Sequence, residues 1–237
     1  MRCVVFGSSG GIGKALVETL RARDDVAVVY AGSRGGSGGR AKLAPFPFDL
    51  REEASIAAAA DLAGGDGPLD LVIVATGLLQ NKPLVTPEKS WSALDAEAMA
   101  MAFSVNAIGP ALIAKHFMPL LNKEAPSRFA FLSARVGSLG DNRLGGWHSY
   151  RASKAALNML VRNFAIELRR INPSAIAVAL HPGTVDTPLS EPFQANVPAD
   201  RLFDPARAAQ QLIDVLLGLS PVQSGGFFAW DGSAIEW

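Results

Sequence analysis

Apolar residues along this chain follow two spacings that alternate from end to end. Short runs of consecutive apolar positions at 2–6, 26–31, 44–48, 69–75, 127–133, 175–180 and 226–230 read as strands. Leu69 to Ala75 is apolar almost without interruption, as expected of a strand covered on both faces. Between the runs the spacing lengthens to helical. Ile12, Leu16 and Leu20 mark one face of a helix over 11–23, and Leu157, Leu160, Phe164 and Leu168 one face of a helix over 149–170. Further helices are predicted at 51–63, 95–122 and 205–218. Gly109 and Pro110 predict a kink in the long one. Pro45 and Pro47 make the third strand the weakest.

Strands alternating with helices predict an α/β fold: a seven-stranded, mainly parallel, doubly wound sheet with helices on both faces. No internal repeat and no linker divides the chain, so a single domain over 1–237 is expected. One connection is unusual. The Gly-rich stretch Gly32–Gly39 joins strands two and three, where such folds place a helix. Parallel neighbours need a crossover of about ten residues or more, and this one reads as a loop.

Composition narrows the partners. The chain has 237 residues, 49% of them apolar, and a formal net charge of zero. That length can bury a core without staples. Neutrality argues against nucleic acid and against a polybasic membrane anchor. No uninterrupted apolar run approaches the ~18 residues of a membrane span, and the chain opens on a strand rather than a signal peptide. A cytoplasmic protein is expected. Cys3, alone in an apolar run, reads as a buried and inert thiol. His116, His148 and His181 are scattered, with no spacing that suggests a metal site.

Chemistry enters at the first turn. Gly7-Ser8-Ser9-Gly10-Gly11-Ile12-Gly13 lies between a strand and a helix. Glycines there let the backbone approach a pyrophosphate, and the helix start offers free N–H groups. The plain alternative is a flexible turn. At the end of the second strand a site for NAD wants a carboxylate for the ribose hydroxyls. This chain reads Tyr30-Ala31-Gly32-Ser33-Arg34 instead. Arg34 can fork onto a 2′-phosphate, with Ser33 as a second donor and Arg40 and Lys42 as added charge. NADP(H) is the expected cofactor; otherwise Arg34 is a solvated surface residue. Asp49 suits either an acceptor for an adenine amino group or the cap of a helix starting near Arg51.

Tyr150 and Lys154 stand four residues apart on one helix face. Ser133 ends a strand seventeen residues earlier, and Asn106 sits in the long helix before it. All four can meet at the carboxyl edge of a parallel sheet. A free tyrosine, with a pKa of about 10, is too weak an acid for reversible proton transfer near neutrality. An ammonium at ~4 Å contributes roughly 4 kcal/mol at an effective dielectric of ~20, enough to offset about three pKa units before desolvation opposes it. Ser133 would then hydrogen-bond a substrate oxygen, and Asn106 would hold a water relaying protons to Lys154. An ordinary amphipathic helix produces the same Tyr/Lys spacing.

Together these residues resemble the short-chain dehydrogenase/reductase family over essentially the whole chain. Gly7, Gly11 and Gly13 match its glycine motif; Asn106, Ser133, Tyr150 and Lys154 match its catalytic set in order. Pro182-Gly183, with Val185 and Thr187, matches its nicotinamide-contacting segment. The resemblance implies a Rossmann domain and hydride transfer between NADP(H) and a small-molecule carbonyl or alcohol. It places cofactor contacts at Ser9 and Ile12 in the turn, at Ser33 and Arg34, and at Asp49 and Leu50. Further contacts fall at Ala75, Thr76 and Gly77, and at Asn106, Tyr150 and Lys154. Gly137 to Asn142 and the ending Ala229-Trp230-Asp231-Gly232 resemble the subgroup related to the bacterial C-signal protein. Some of its members are discussed in signalling, so an NADP-binding regulatory protein with little turnover is the alternative.

The sequence departs from the family pattern in four places. Phe6 replaces a threonine that braces the glycine turn, and Val74-Ala75-Thr76-Gly77 replaces Asn-Asn-Ala-Gly. Gly10 stands where NADP enzymes often carry a basic residue, leaving phosphate recognition to Arg34. The shortened connection after strand two implies an open, mobile adenosine pocket. Trp147, Leu139, Phe193 and Phe203 are candidate pocket walls, and the proline-containing segment 186–203 a mobile lid. Relatives pair through helices equivalent to 95–122 and 149–170, which implies a homodimer or homotetramer.

Overall fold

The computed structural model describes residues 1–36 and 38–237; part of the Gly32–Gly39 stretch, Ser37, lies outside them. In chain order the main elements are β1 (Arg2–Phe6), α1 (Gly11–Arg21), β2 (Val28–Ser33), β3 (Leu43–Pro47), α2 (Glu53–Gly64) and β4 (Leu71–Val74). Then come α3 (Ala96–Phe103), α4 (Gly109–Phe117), β5 (Arg128–Leu132), α5 (His148–Ile171) and β6 (Ile176–His181). The chain ends with β7 (Thr184–Val185), β8 (Leu202–Phe203), α6 (Pro205–Gly218) and β9 (Phe227–Ala229).

Seven strands form one parallel sheet in the order β3-β2-β1-β4-β5-β6-β9. Side chains alternate across it. Val4, Phe6, Val72, Phe129 and Phe131 enter one core with α2, α4 and α5; Cys3, Val5, Leu71, Ile73 and Ala130 enter the other with α1 and α6. Burying both faces accounts for the unbroken apolar runs. Burial also pushes the Cys3 thiol up to about 12, which leaves it protonated and unreactive.

The order reverses between β1 and β4, the place where sheets of this kind bind ligands at their carboxyl ends. Residues 34–42 join β2 to β3, and no helix forms there among the described residues. This agrees with the loop expected from the glycines.

The long helix differs from expectation. Its irregularity lies before Gly109–Pro110, in a π-helical turn at Ser104–Ile108 between α3 and α4. Pro110 has no N–H to give the Asn106 carbonyl, so the α-helical ladder fails there. The Gly109 N–H bonds Ser104 O instead, five residues back. Gly109 itself is demanded by packing: a Cβ on it would stand 2.6 Å from Leu50 Cδ2. The composite Ala96–Leu120 is long and apolar enough to cross a bilayer by composition alone. Here it packs on α5 and α2 through Ala102, Ala107, Ile113 and Phe117.

Candidate active site

The glycine turn after β1 is set by contact. A Cβ on Gly13 would lie 2.1 Å from Gly7 O, so only glycine lets α1 start this close to the strand. Gly11 lies under Thr187, whose Cγ2 is 2.5 Å from where its Cβ would be. The missing threonine at position 6 is compensated. Phe6 fills the core edge-on to Phe46, Phe48 and Phe117 at 4.8–5.5 Å. The turn is braced from β2 instead: the Gly7 and Ser8 amides and Ser8 Oγ all donate to Gly32 O at 2.9–3.0 Å.

From this turn a cavity of about 420 Å³ runs over the sheet edge. Gly7, Ser9, Ser33, Arg34, Asp49 and Leu50 line one side, and Ala75, Thr76 and Gly77 the other. Phe48, Gln80, Asn81 and Val105 also line it, none of them singled out by the sequence. Thr76 Oγ1 is buried without a partner among the described residues, an unusual condition for a hydroxyl. Arg34 is exposed at the cavity mouth, with no ion pair among the described residues. A cavity at the start of α1, lined by the glycine turn, an orphaned hydroxyl and an arginine, fits a dinucleotide.

Two expectations are corrected. Arg40 and Lys42 do not join the cavity: Arg40 pairs with Glu18 at 3.3 Å, and Lys42 Nζ donates to Arg23 O at 2.9 Å. Asp49 does not cap α2, which starts later, at Glu53. Its carboxylate accepts from the Arg51 amide at 2.9 Å, and that bond with the Arg51 side chain holds its pKa below the usual carboxylate range.

The catalytic candidates converge one strand further along. Asn106 is fully buried. Its Oδ1 accepts from Leu78 N at 2.8 Å, and its Nδ2 donates to Leu78 O at 2.8 Å and to Ser153 Oγ at 3.0 Å. That side chain is spent on holding the segment after β4, not on holding a water. Lys154 is buried, and its Nζ donates to Leu132 O at 2.9 Å. A methyl on Gly77 would sit 3.7 Å from both Asn106 Oδ1 and Lys154 Nζ, which places the two at the back of the cofactor cavity. Ser133 Oγ donates to Asn158 Oδ1 at 2.6 Å. Tyr150, Lys154 and Asn158 thus form one stripe on α5. Ser153 and Asn158 were missed as supports, although their helical spacing was visible.

Burial opposes the lysine's effect on the phenol. The Lys154 ammonium lies 5.9 Å from the Tyr150 ring centre and bonds a carbonyl. Desolvation dominates both groups: it pushes the Tyr150 phenol above its usual value and Lys154 down to about 8.

Tyr150 and Ser133 open into a second cavity of about 580 Å³. Ile12, Pro182, Gly183, Val185 and Thr187 border it on the cofactor side. Trp147 and Phe193 wall it, their rings 4.8 Å apart. Trp147 holds a left-handed backbone, φ 49°, immediately before α5. Phe203 and Leu139 do not line it. Phe203 is buried against Trp230 at 4.7 Å, and Leu139 borders a separate cavity behind α5. β7 and β8 pair across the ends of the segment 186–203. Glu88 is a further support without a sequence signal. Buried, it accepts from Ser149 N at 3.2 Å and from Ser149 Oγ, fixing the start of α5 beside Tyr150.

Fold and sheet order are those of a single Rossmann-like α/β domain. Residues 2–198 match the model of the short chain dehydrogenase family, and the chain belongs to that family. It is 37% identical to C-signal of Myxococcus xanthus over 174 residues, 72% of this chain and 94% of that protein. It is 31% identical to a 1-hydroxy-2-glutathionyl-2-methyl-3-butene dehydrogenase of Rhodococcus sp. (strain AD45), over 99% of this chain and 98% of the other. Among solved structures, the NADPH-bound carbonyl reductase from chicken fatty liver superposes with a TM-score of 0.82 at 28% identity. That match covers 99% of this chain and 98% of the other.

Proposed function

We propose that this chain is an NADP(H)-dependent carbonyl reductase that uses Tyr150 as its proton donor. The observation that carries the reading is the meeting of Tyr150 and Ser133 in one cavity, with Lys154 and Asn106 behind Gly77 in the adjoining one. A nicotinamide held by Gly7, Thr76, Gly77, Pro182 and Gly183 would supply the hydride. Tyr150 gives its hydroxyl proton to the substrate oxygen as the carbonyl carbon is reduced. Lys154 stabilises the phenolate left behind and returns the proton. The relay outward starts at the Asn106 main-chain carbonyl, which Pro110 deprives of an α-helical donor. Ser133, its own proton held by Asn158, faces the cavity as an acceptor for the Tyr150 or product hydroxyl. Arg34 and Ser33 read the 2′-phosphate.

The likeness to the NADPH-bound chicken reductase and to the Rhodococcus dehydrogenase supports this reading. The likeness to C-signal favours a second one, an NADP-binding regulatory protein with little turnover. NADPH consumption against a panel of carbonyl compounds separates them. Under the first reading the protein turns over with NADPH and binds NADH at least about tenfold more weakly, a difference that Arg34→Ala removes. Equal affinity for both cofactors in the unmodified protein contradicts the choice of NADP.

We also propose a homodimer or homotetramer joined through the exposed apolar residues Ile108, Met159 and Ile166, on the π turn and α5.

A further inference from the structure

The larger cavity has a charge pattern that reduction of a simple ketone does not require. Its walls are mainly apolar, built by Leu79, Val136, Trp147, Leu189, Phe193 and Val197. Three guanidinium groups from three separate places also border it: Arg135 after β5, Arg143 in the following loop, and Arg151 on α5, one residue beyond Tyr150. Asp141 is the one carboxylate among the described lining residues, and it pairs with Arg135 at 3.2 Å. Among the described residues, Arg143 makes one long side-chain bond, 3.4 Å, to its neighbour's carbonyl. Arg151 donates one Nη1 to Val136 O at 3.2 Å, and its buried Nε has no acceptor among the described residues. Two arginines without an ion pair among the described residues therefore line a mainly apolar hollow. A buried donor left unpaired is costly, and arginine matches a carboxylate with two parallel bonds. Surplus charge over low-dielectric walls also concentrates anions at the mouth.

We propose that this cavity takes a carbonyl compound with an apolar body and a carboxylate, the carboxylate being held by Arg143 and Arg151. The proposal rests on the reductase reading for its carbonyl but not for its anion. The test compares 3-benzoylpropionate with its methyl ester, both in NADPH-dependent reduction and in calorimetric binding to the protein. The acid is expected to exceed the ester in kcat/KM and in affinity by about tenfold to a hundredfold, the factor that one or two charge-assisted hydrogen bonds supply. In Arg143→Gln/Arg151→Gln the acid-to-ester ratio should fall towards one. Arg143→Gln alone, at an exposed position, should move the ratio the same way and serves if the double variant does not fold. Selective binding of the acid without turnover of either compound supports the anion site and removes the reductase reading. Turnover of both with equal kcat/KM overturns the anion site and leaves the reductase reading intact. Equal binding of acid and ester, or binding of neither, overturns it as well.

Discussion

At the residue scale, Tyr150 and Lys154 share one stripe of α5 with Asn158, and burial opposes the charged form of each of the first two. An ionisable side chain answers to every atom around it, and those atoms come from β5, the π turn and the segment after β4. Lys154 carries a testable consequence. Its pKa falls from 10.5 unfolded to about 8 folded, so the unfolded chain binds its proton more tightly. The penalty is complete below pH 8 and fades as pH rises towards 10.5. Lys154→Met should therefore be inactive yet more stable at pH 7, by roughly 3 kcal/mol, from the ~1.4 kcal/mol per pKa unit. That advantage should shrink towards zero by about pH 10. Urea unfolding of both proteins at pH 7 and pH 10 measures it, and an unchanged difference between the two would rule the cause out.

At the scale of elements, α1, α2, α5, α6 and every strand of the large sheet were visible in the sequence, because strands buried on both faces leave unbroken apolar runs. The long helix shows the limit. Gly109 and Pro110 predict a kink, but not the π turn at Ser104–Ile108 that the missing Pro110 N–H favours four residues back. The short pair β7 and β8 escaped notice because two-residue strands have no periodicity. Glu88 escaped because it reaches α5 from sixty-one residues away. Losing its carboxylate frees the start of the catalytic helix. Glu88→Ala should lower stability by about 1–3 kcal/mol, the cost of a buried group left unpaired. It should also lower kcat, since Tyr150 lies one residue beyond Ser149. Glu88→Gln, which keeps an acceptor, should recover most of both. Denaturant titration alongside steady-state kinetics checks this, and full activity in Glu88→Ala would show that the tether does not position Tyr150.

At the scale of the whole molecule, the two cavities follow from topology. Reversal of strand order between β1 and β4 opens the sheet edge, and α5 closes the far side over Ser133. Much of the lining of the smaller cavity was legible because a glycine turn after a strand is a local fact. The larger cavity was not, since its walls come from Ile12, Leu79 and stretches between residues 133 and 197. Outside the cavities the apolar groups of the π turn and α5 remain uncovered in one chain. Sedimentation of the protein should give a dimer or larger, and Met159→Glu with Ile166→Glu should shift it towards monomer. A monomer at micromolar concentration would instead leave that face for another role.

The central claim is that the Tyr150 hydroxyl moves the proton. The most direct measurement is the rate of NADPH-dependent carbonyl reduction by Tyr150→Phe, a change of one oxygen in a side chain that keeps its packing. The account predicts a loss of about a hundredfold to ten-thousandfold, the range attributed to a positioned general acid, in a protein that still folds and still binds NADPH. Reduction at the unmodified rate would contradict it.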